Sequence, residues 1–146
     1  SKTSQEWLVK SQLENLSEVQ SYKDLKVWKK GLEIVKKVYV NCASMPKDEL
    51  YGLQSQLKRA AVSIPSNIAE GYGRNYTKNF IQFLKISRGS LLEVETQIII
   101  AFELEMVDEK NYKTVSDLIT EENKMLNAFI KSIERTLLTT DWLLND

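Results

Sequence analysis

Apolar residues recur at spacings of three and four through most of this chain, the pattern of amphipathic helices. The first such run covers Tyr22 to Cys42, where Leu25, Trp28, Leu32, Val35, Tyr39 and Cys42 make one stripe. Lys23, Lys26, Lys30 and Lys37 fall on the opposite side, with Lys29 and Lys36 nearer its edge. Met45-Pro46 closes the run, because a residue before proline disfavours the helical region. A second run, Lys47 to Glu70, sets Leu50, Leu53, Leu57, Ala60, Ile64 and Asn67 on one seam. Gly71 and Gly73 follow and are expected to end that helix in left-handed geometry.

The third run, Thr77 to Glu105, has Thr77 as its expected N-cap. Its seam reads Phe80, Leu84, Ser87, Leu91, Val94, Ile98 and Ala101. Ile81, Phe83, Ile86, Leu92, Ile99, Ile100 and Phe102 lie off that seam. A helix apolar on more than one face is buried on more than one face. Its second face, with Ile81, Ile99, Ile100 and Phe102, is therefore expected to meet another subunit; the alternative cover is the terminal segments. The fourth run, Asn111 to Thr139, carries Val115, Leu118, Met125, Leu126, Phe129, Ile133 and Leu137.

The connections near 43–47, 71–77 and 106–111 are short, which makes successive helices antiparallel neighbours. The expected fold is all-α, an up-down-up-down four-helix bundle over residues 22–140 that forms a homo-oligomer. Residues 1–21 read as an extension, in which Trp7, Leu8, Leu13, Leu16 and Val19 suit a short amphipathic helix. Capping the bundle and docking on a neighbour are both open to it. Residues 141–146 read as a tail. No internal repeat or low-complexity tract interrupts the pattern.

Composition agrees. The chain has 146 residues, five glycines and two prolines, which is few for the many turns of a β sandwich or barrel. No apolar run approaches a membrane span and no signal-peptide core is evident, so a cytoplasmic protein with no membrane partner is expected. The single cysteine, Cys42, suits a reducing compartment. Histidine is absent. That removes the commonest general base and metal ligand, and with it the usual bundle-core di-iron site. No cofactor or metal is expected.

One stretch departs from ordinary helical usage: Arg59 to Arg74, RAAVSIPSNIAEGYGR. Pro65 removes a helical amide and predicts a kink, with Ser63 able to bond a freed carbonyl. Asn67 falls on the apolar seam, and a buried amide needs partners. Arg59, Ser63, Ser66 and Glu70 lie one step off it, and the third helix offers Arg88, Glu93 and Glu95. A buried polar network follows, with Arg59 and Arg88 facing Glu70 and Glu95 or Glu93. A ligand or nucleic-acid contact is the alternative use of the same groups. Catalysis is disfavoured, because Ala60, Ala61, Ala69, Ser87, Gly89 and Ser90 let helices approach closely and leave little cleft. Gly71-Tyr-Gly73 lacks the lysine, spacing and strand of a phosphate loop.

Charge is balanced overall but unevenly spread. Residues 23–37 carry six lysines against two acids, and residues 101–123 carry seven acids against two lysines. The lysines are either a solvated helix face or a track of phosphate contacts through Lys23, Lys26, Lys30 and Lys37. The acids at Glu103, Glu105, Asp108 and Glu109 would turn away from nucleic acid.

YKDLKVW at 22–28, LQSQLKRAAVSIPSNIAEGYGR at 53–74 and RGSLLEVET at 88–96 carry a family resemblance. The chain resembles, over about residues 22 to 135, the four-helix-bundle proteins encoded in intervening sequences of bacterial large-subunit ribosomal RNA genes. That family is itself similar to the accessory variability determinant proteins of diversity-generating retroelements. The resemblance implies a ring of five subunits and no known enzymatic activity. For the retroelement relatives it implies RNA or DNA and a reverse transcriptase as partners, bound through a basic surface. This chain, with a pI near 6.4, is less basic than they are. The resulting expectation is a non-enzymatic oligomeric scaffold or adaptor with modest RNA or DNA affinity. The alternative is a reverse transcriptase accessory subunit.

Overall fold

The computed structural model describes residues 19–49 and 51–145, with side chains up to residue 138. Four α-helices account for most of it: α1 (Lys26–Ala43), α2 (Leu53–Gly73), α3 (Thr77–Glu103) and α4 (Glu109–Asn145). Two single 3₁₀ turns, Tyr22–Asp24 and Lys47–Glu49, precede α1 and α2. Contacts run around a square, α1 to α2, α2 to α3, α3 to α4 and α4 to α1, and are densest between α2 and α3. All four neighbours are antiparallel. Cys42 accepts from Gln54 while Gly31 packs on Pro65, and Lys30 meets Glu121 while Asn41 reaches Asn111. The result is the expected up-down-up-down bundle.

The start of α1 is more elaborate than one helix from Tyr22. Ser21 caps the 3₁₀ turn, and the Asp24 carboxylate accepts from the backbone of Gln20 and Ser21. Leu25 is then extended and plugs the core before α1 begins. The buried seam of α1 is Val27, Gly31, Ile34, Val38, Asn41 and Cys42, one position round from most of the expected stripe. Trp28, Leu32 and Val35 are half-buried, and Tyr39 is 46% exposed. The reason is Gly31. A β-carbon there would lie 3.3 Å from Pro65 Cβ and 3.5 Å from Glu122 Oε2, so this narrow side admits α2 and α4 where the aromatic side would not.

The second helix starts later than expected. Gly52 stands at its N-cap, and Glu49 accepts from the Leu53 amide. Leu50 lies outside the described residues. The helix also runs through both glycines that were expected to end it in left-handed geometry. No glycine has positive φ; Asn75 takes that role at φ 53, the non-glycine type best suited to it. Gly71 serves instead for close approach: a β-carbon would lie 2.5 Å from Phe83 Cβ.

All seven expected seam residues of α3 are buried. Thr77 is not its N-cap. Tyr76 holds that position with no side-chain cap, and the Thr77 hydroxyl is buried without a partner. The α3 C-terminus closes on Glu105 at φ 59, with Glu105 and Met106 amides donating to Phe102 and Ala101, a Schellman arrangement. The last helix begins at Glu109 and continues to Asn145, past the expected end near Thr139. Among the described residues no helix is long and apolar enough to cross a membrane.

Candidate functional site

The unusual stretch on α2 meets α3 through short polar side chains. Ser63 Oγ and Ser90 Oγ are 2.9 Å apart. Asn67 Nδ2 donates to both the carbonyl and the hydroxyl of Ser63, each at 2.8 Å. Ser87 donates to the Ile64 carbonyl at 2.9 Å. This is a neutral hydroxyl–amide chain. Pro65 is buried inside α2, where it leaves the Ala61 carbonyl without its helical donor and lays its ring on Gly31 of α1. Ser66 is exposed.

The charged half of the expected network is absent. Glu70 pairs with Arg74, the C-cap of its own helix, at 3.0 Å, half exposed. Arg88 donates to Asn127 on α4 at 2.9 Å. Glu95 is half-buried, while Arg59 and Glu93 are exposed. Register explains this. Ser87 and Ser90 face α2, and Arg88 is turned about 100° from Ser87, which directs it to α4.

The basic face of α1 also differs in detail. Lys30 forms an ion pair with Glu121 at 2.6 Å, and that bond holds its ammonium above the usual lysine pKa. It is therefore not a free phosphate contact. Lys23, Lys26 and Lys37 are exposed, and Glu33 lies on the same flank as the last two. Opposite the buried seam, Lys29 and Lys36 stand at the centre of the outer face rather than at its edge.

On α3, Ile81 is 7% exposed and belongs to the chain's own core, and Phe102 stacks on Tyr112 at 4.2 Å. These two do not present an open surface for another subunit. Ile99 and Ile100 are open to solvent instead, at 41% and 42% exposed, together with Leu92 and Ile86.

Sequence reasoning missed Glu122. It is 0% exposed, and neither carboxylate oxygen has a hydrogen-bond partner. Burial pushes its pKa up to about 8; Lys30 pulls it down and Glu33 adds to the rise. The available signal was its seven-residue spacing from Val115 and Phe129, both on the apolar side of α4. Asn41, also buried, ties α1 to the Asn111 carbonyl at 3.2 Å. The Cys42 thiol is raised to about 11 by burial, which makes it a poor nucleophile. Among the described residues no His, Cys, Asp or Glu group is arranged for a metal ion.

Comparison with known proteins fits this picture. Residues 23–128 match the family described as 23S rRNA-intervening sequence protein. A crystal structure from Bacteroides thetaiotaomicron VPI-5482, a protein with unknown function from the S23 ribosomal protein family, superposes with a TM-score of 0.66 at 24% identity. The match covers 72% of this chain and 95% of that one, and at this identity it speaks for the fold. No curated protein matches the chain.

Proposed function

Because the chain belongs to the 23S rRNA-intervening sequence protein family, we propose that it acts without catalysis, as an oligomeric helical scaffold whose basic face contacts nucleic acid. The observation that carries this reading is the outer side of α3. Leu92, Ile99 and Ile100 stay 41% to 47% exposed although the bundle around them is closed. Leu92 and Ile99 are seven residues apart and share one side of the helix, and a second chain is the cover proposed for them. The assembly proposed is a ring of five. The unusual α2 stretch supports a non-catalytic role, since its hydroxyls and amide bond to one another and to backbone.

A ring repeats the outer face of α1, with Lys29 and Lys36 at its centre and Lys23, Lys26 and Lys37 around them. Repetition supplies the avidity that one chain of zero net charge lacks. Binding through such contacts is salt-dependent and nearly blind to sequence. The dissociation constant is expected on the order of 10⁻⁶ M or weaker at physiological salt.

Light scattering at micromolar concentration tests the assembly, and a monomer would sink it. Structured RNA and single-stranded DNA, titrated at low and moderate salt, test the surface. Glutamine at Lys23, Lys26, Lys29, Lys36 and Lys37 should remove binding and leave the oligomer intact. No binding at low salt would leave a purely protein-binding scaffold.

A further inference from the structure

A groove between α2 and α3 borders the apolar outer side of α3, since Glu93 in its wall is seven residues from Ile100 and Gln97 is three. It encloses about 400 Å³. The Ser63–Ser90 hydroxyl pair lines one part of it. Because the helices are antiparallel, Arg59, one turn before Ser63, stands level with Glu93, three residues after Ser90. One turn further along, Gln56 on α2 stands level with Gln97 on α3. The two walls therefore differ in chemistry. The α2 wall carries the Arg59 guanidinium, which only donates, and the Gln56 amide, which can donate or accept. The α3 wall carries the Glu93 carboxylate, which only accepts, and the Gln97 amide, whose Oε1 has no partner.

Among the described residues these groups are not used. Gln97 Oε1 is buried with no hydrogen-bond partner. Arg59 and Glu93 make no ion pair among the described residues, where Lys30, Arg74, Lys85 and Lys113 do. An exposed pair bridging the groove would contribute little, so a ligand that also satisfies Gln97 would displace it. No aromatic side chain lines the groove, which leaves a nucleobase only the Arg59 guanidinium to stack on. Glu93 repels phosphate.

We propose that this groove binds a short peptide with free termini, its carboxylate on Arg59 and Gln56 and its ammonium on Glu93 and Gln97 Oε1. The ligand is a zwitterion because the α2 wall carries a cation, Arg59, and the α3 wall an anion, Glu93. Its ends lie several bonds apart, as in a dipeptide, because the two walls flank an open space.

The test is a titration of the full ¹⁵N-labelled chain with glycylglycine at neutral pH, to about 10 mM. Amide shifts should concentrate at residues 56–63 and 90–97 and saturate with a dissociation constant on the order of 1 mM. N-acetylglycylglycine and glycylglycine amide each lack one charge and should bind at least about tenfold more weakly, the loss of one charge-assisted contact. Arg59→Gln and Glu93→Gln should each weaken glycylglycine by a similar factor while melting like the parent, since both side chains are exposed. Shifts that do not saturate, capped peptides that bind as well as the free one, or variants that bind like the parent would each overturn the proposal.

Discussion

The hydroxyl of Ser63 on α2 lies 2.9 Å from the hydroxyl of Ser90 on α3, and this contact sets the register of the closest helix pair. Ser90 is buried, so Ser63→Ala leaves its hydroxyl without a partner. The loss should be about 1–2 kcal/mol in urea unfolding. Ser63→Ala with Ser90→Ala should cost less than the two single changes added together, because no orphaned hydroxyl remains. Strict additivity would show that the two hydroxyls do not depend on each other.

Gly71 and Gly89 are both helical, and alanine is the better helix former by about 1 kcal/mol. Their surroundings reverse the outcome at one of them. At Gly89 an added β-carbon meets nothing within 4 Å, so Gly89→Ala should stabilise by about 0.5–1 kcal/mol. At Gly71 it meets Phe83 Cβ at 2.5 Å and Phe80 Cδ1 at 3.1 Å. Phe83 Cβ cannot rotate away, so α2 and α3 must separate, and Gly71→Ala should cost about 1–3 kcal/mol. Equal effects at the two sites would contradict the packing described.

Glu122 predicts an unusual pH dependence. Its folded pKa is about 8 against an ordinary 4.5. Between those values the folded chain holds a proton that the unfolded chain has lost. Stability therefore falls as pH rises through that window, by about 1.4 kcal/mol per unit at most, and levels off above it. Below the ordinary value the contribution vanishes. Glu122→Gln should flatten the slope and raise the melting temperature at pH 8. A variant that keeps the parent's slope would place the titration elsewhere.

Lys30 and Lys36 should behave differently although they share a helix. The Lys30 ammonium is engaged by Glu121, half of which is open to solvent. Lys30→Gln should change stability by less than about 1 kcal/mol and leave any RNA affinity nearly intact. Lys36→Gln should weaken binding and lower the salt slope by about one unit. Equal loss of RNA affinity from both changes would show that Lys30 leaves its carboxylate to bind phosphate.

The readable parts of the sequence were those where one apolar stripe runs unbroken. The α3 seam, Phe80 to Ala101, could be placed residue by residue because its spacings of three and four hold from end to end, while the other apolar residues of that helix are spread over both flanks. On α1 two apolar stripes lie side by side, and periodicity does not rank them. The choice fell to Gly31, whose missing β-carbon is visible only once Pro65 and Glu122 are seen against it. Arg88 was expected to face the carboxylates of the second and third helices and meets Asn127 of α4 instead, because spacing tells which residues share a face but not which helix that face meets. Glu122 sits beside Glu121 in a charged tract and looks like surface. Its seven-residue spacing from Val115 and Phe129 was the sign that it points inward, and the fold buries it there.

The close approach at Gly71 also sets an order of events in folding. Gly71 and Phe83 are twelve residues apart, across a link of three residues from Arg74 to Tyr76. Lys30 and Glu121 are separated by 91 positions. Closing the short loop loses much less chain entropy, so the α2–α3 hairpin should be docked in the transition state while α1 still searches for α4. Gly71→Ala should then slow refolding, and Lys30→Gln should mainly speed unfolding. A Gly71 variant whose refolding arm overlays that of the parent would rule that order out. The tight seam between α2 and α3 would then be the template on which the rest of the bundle condenses, and not only a way of joining two helices.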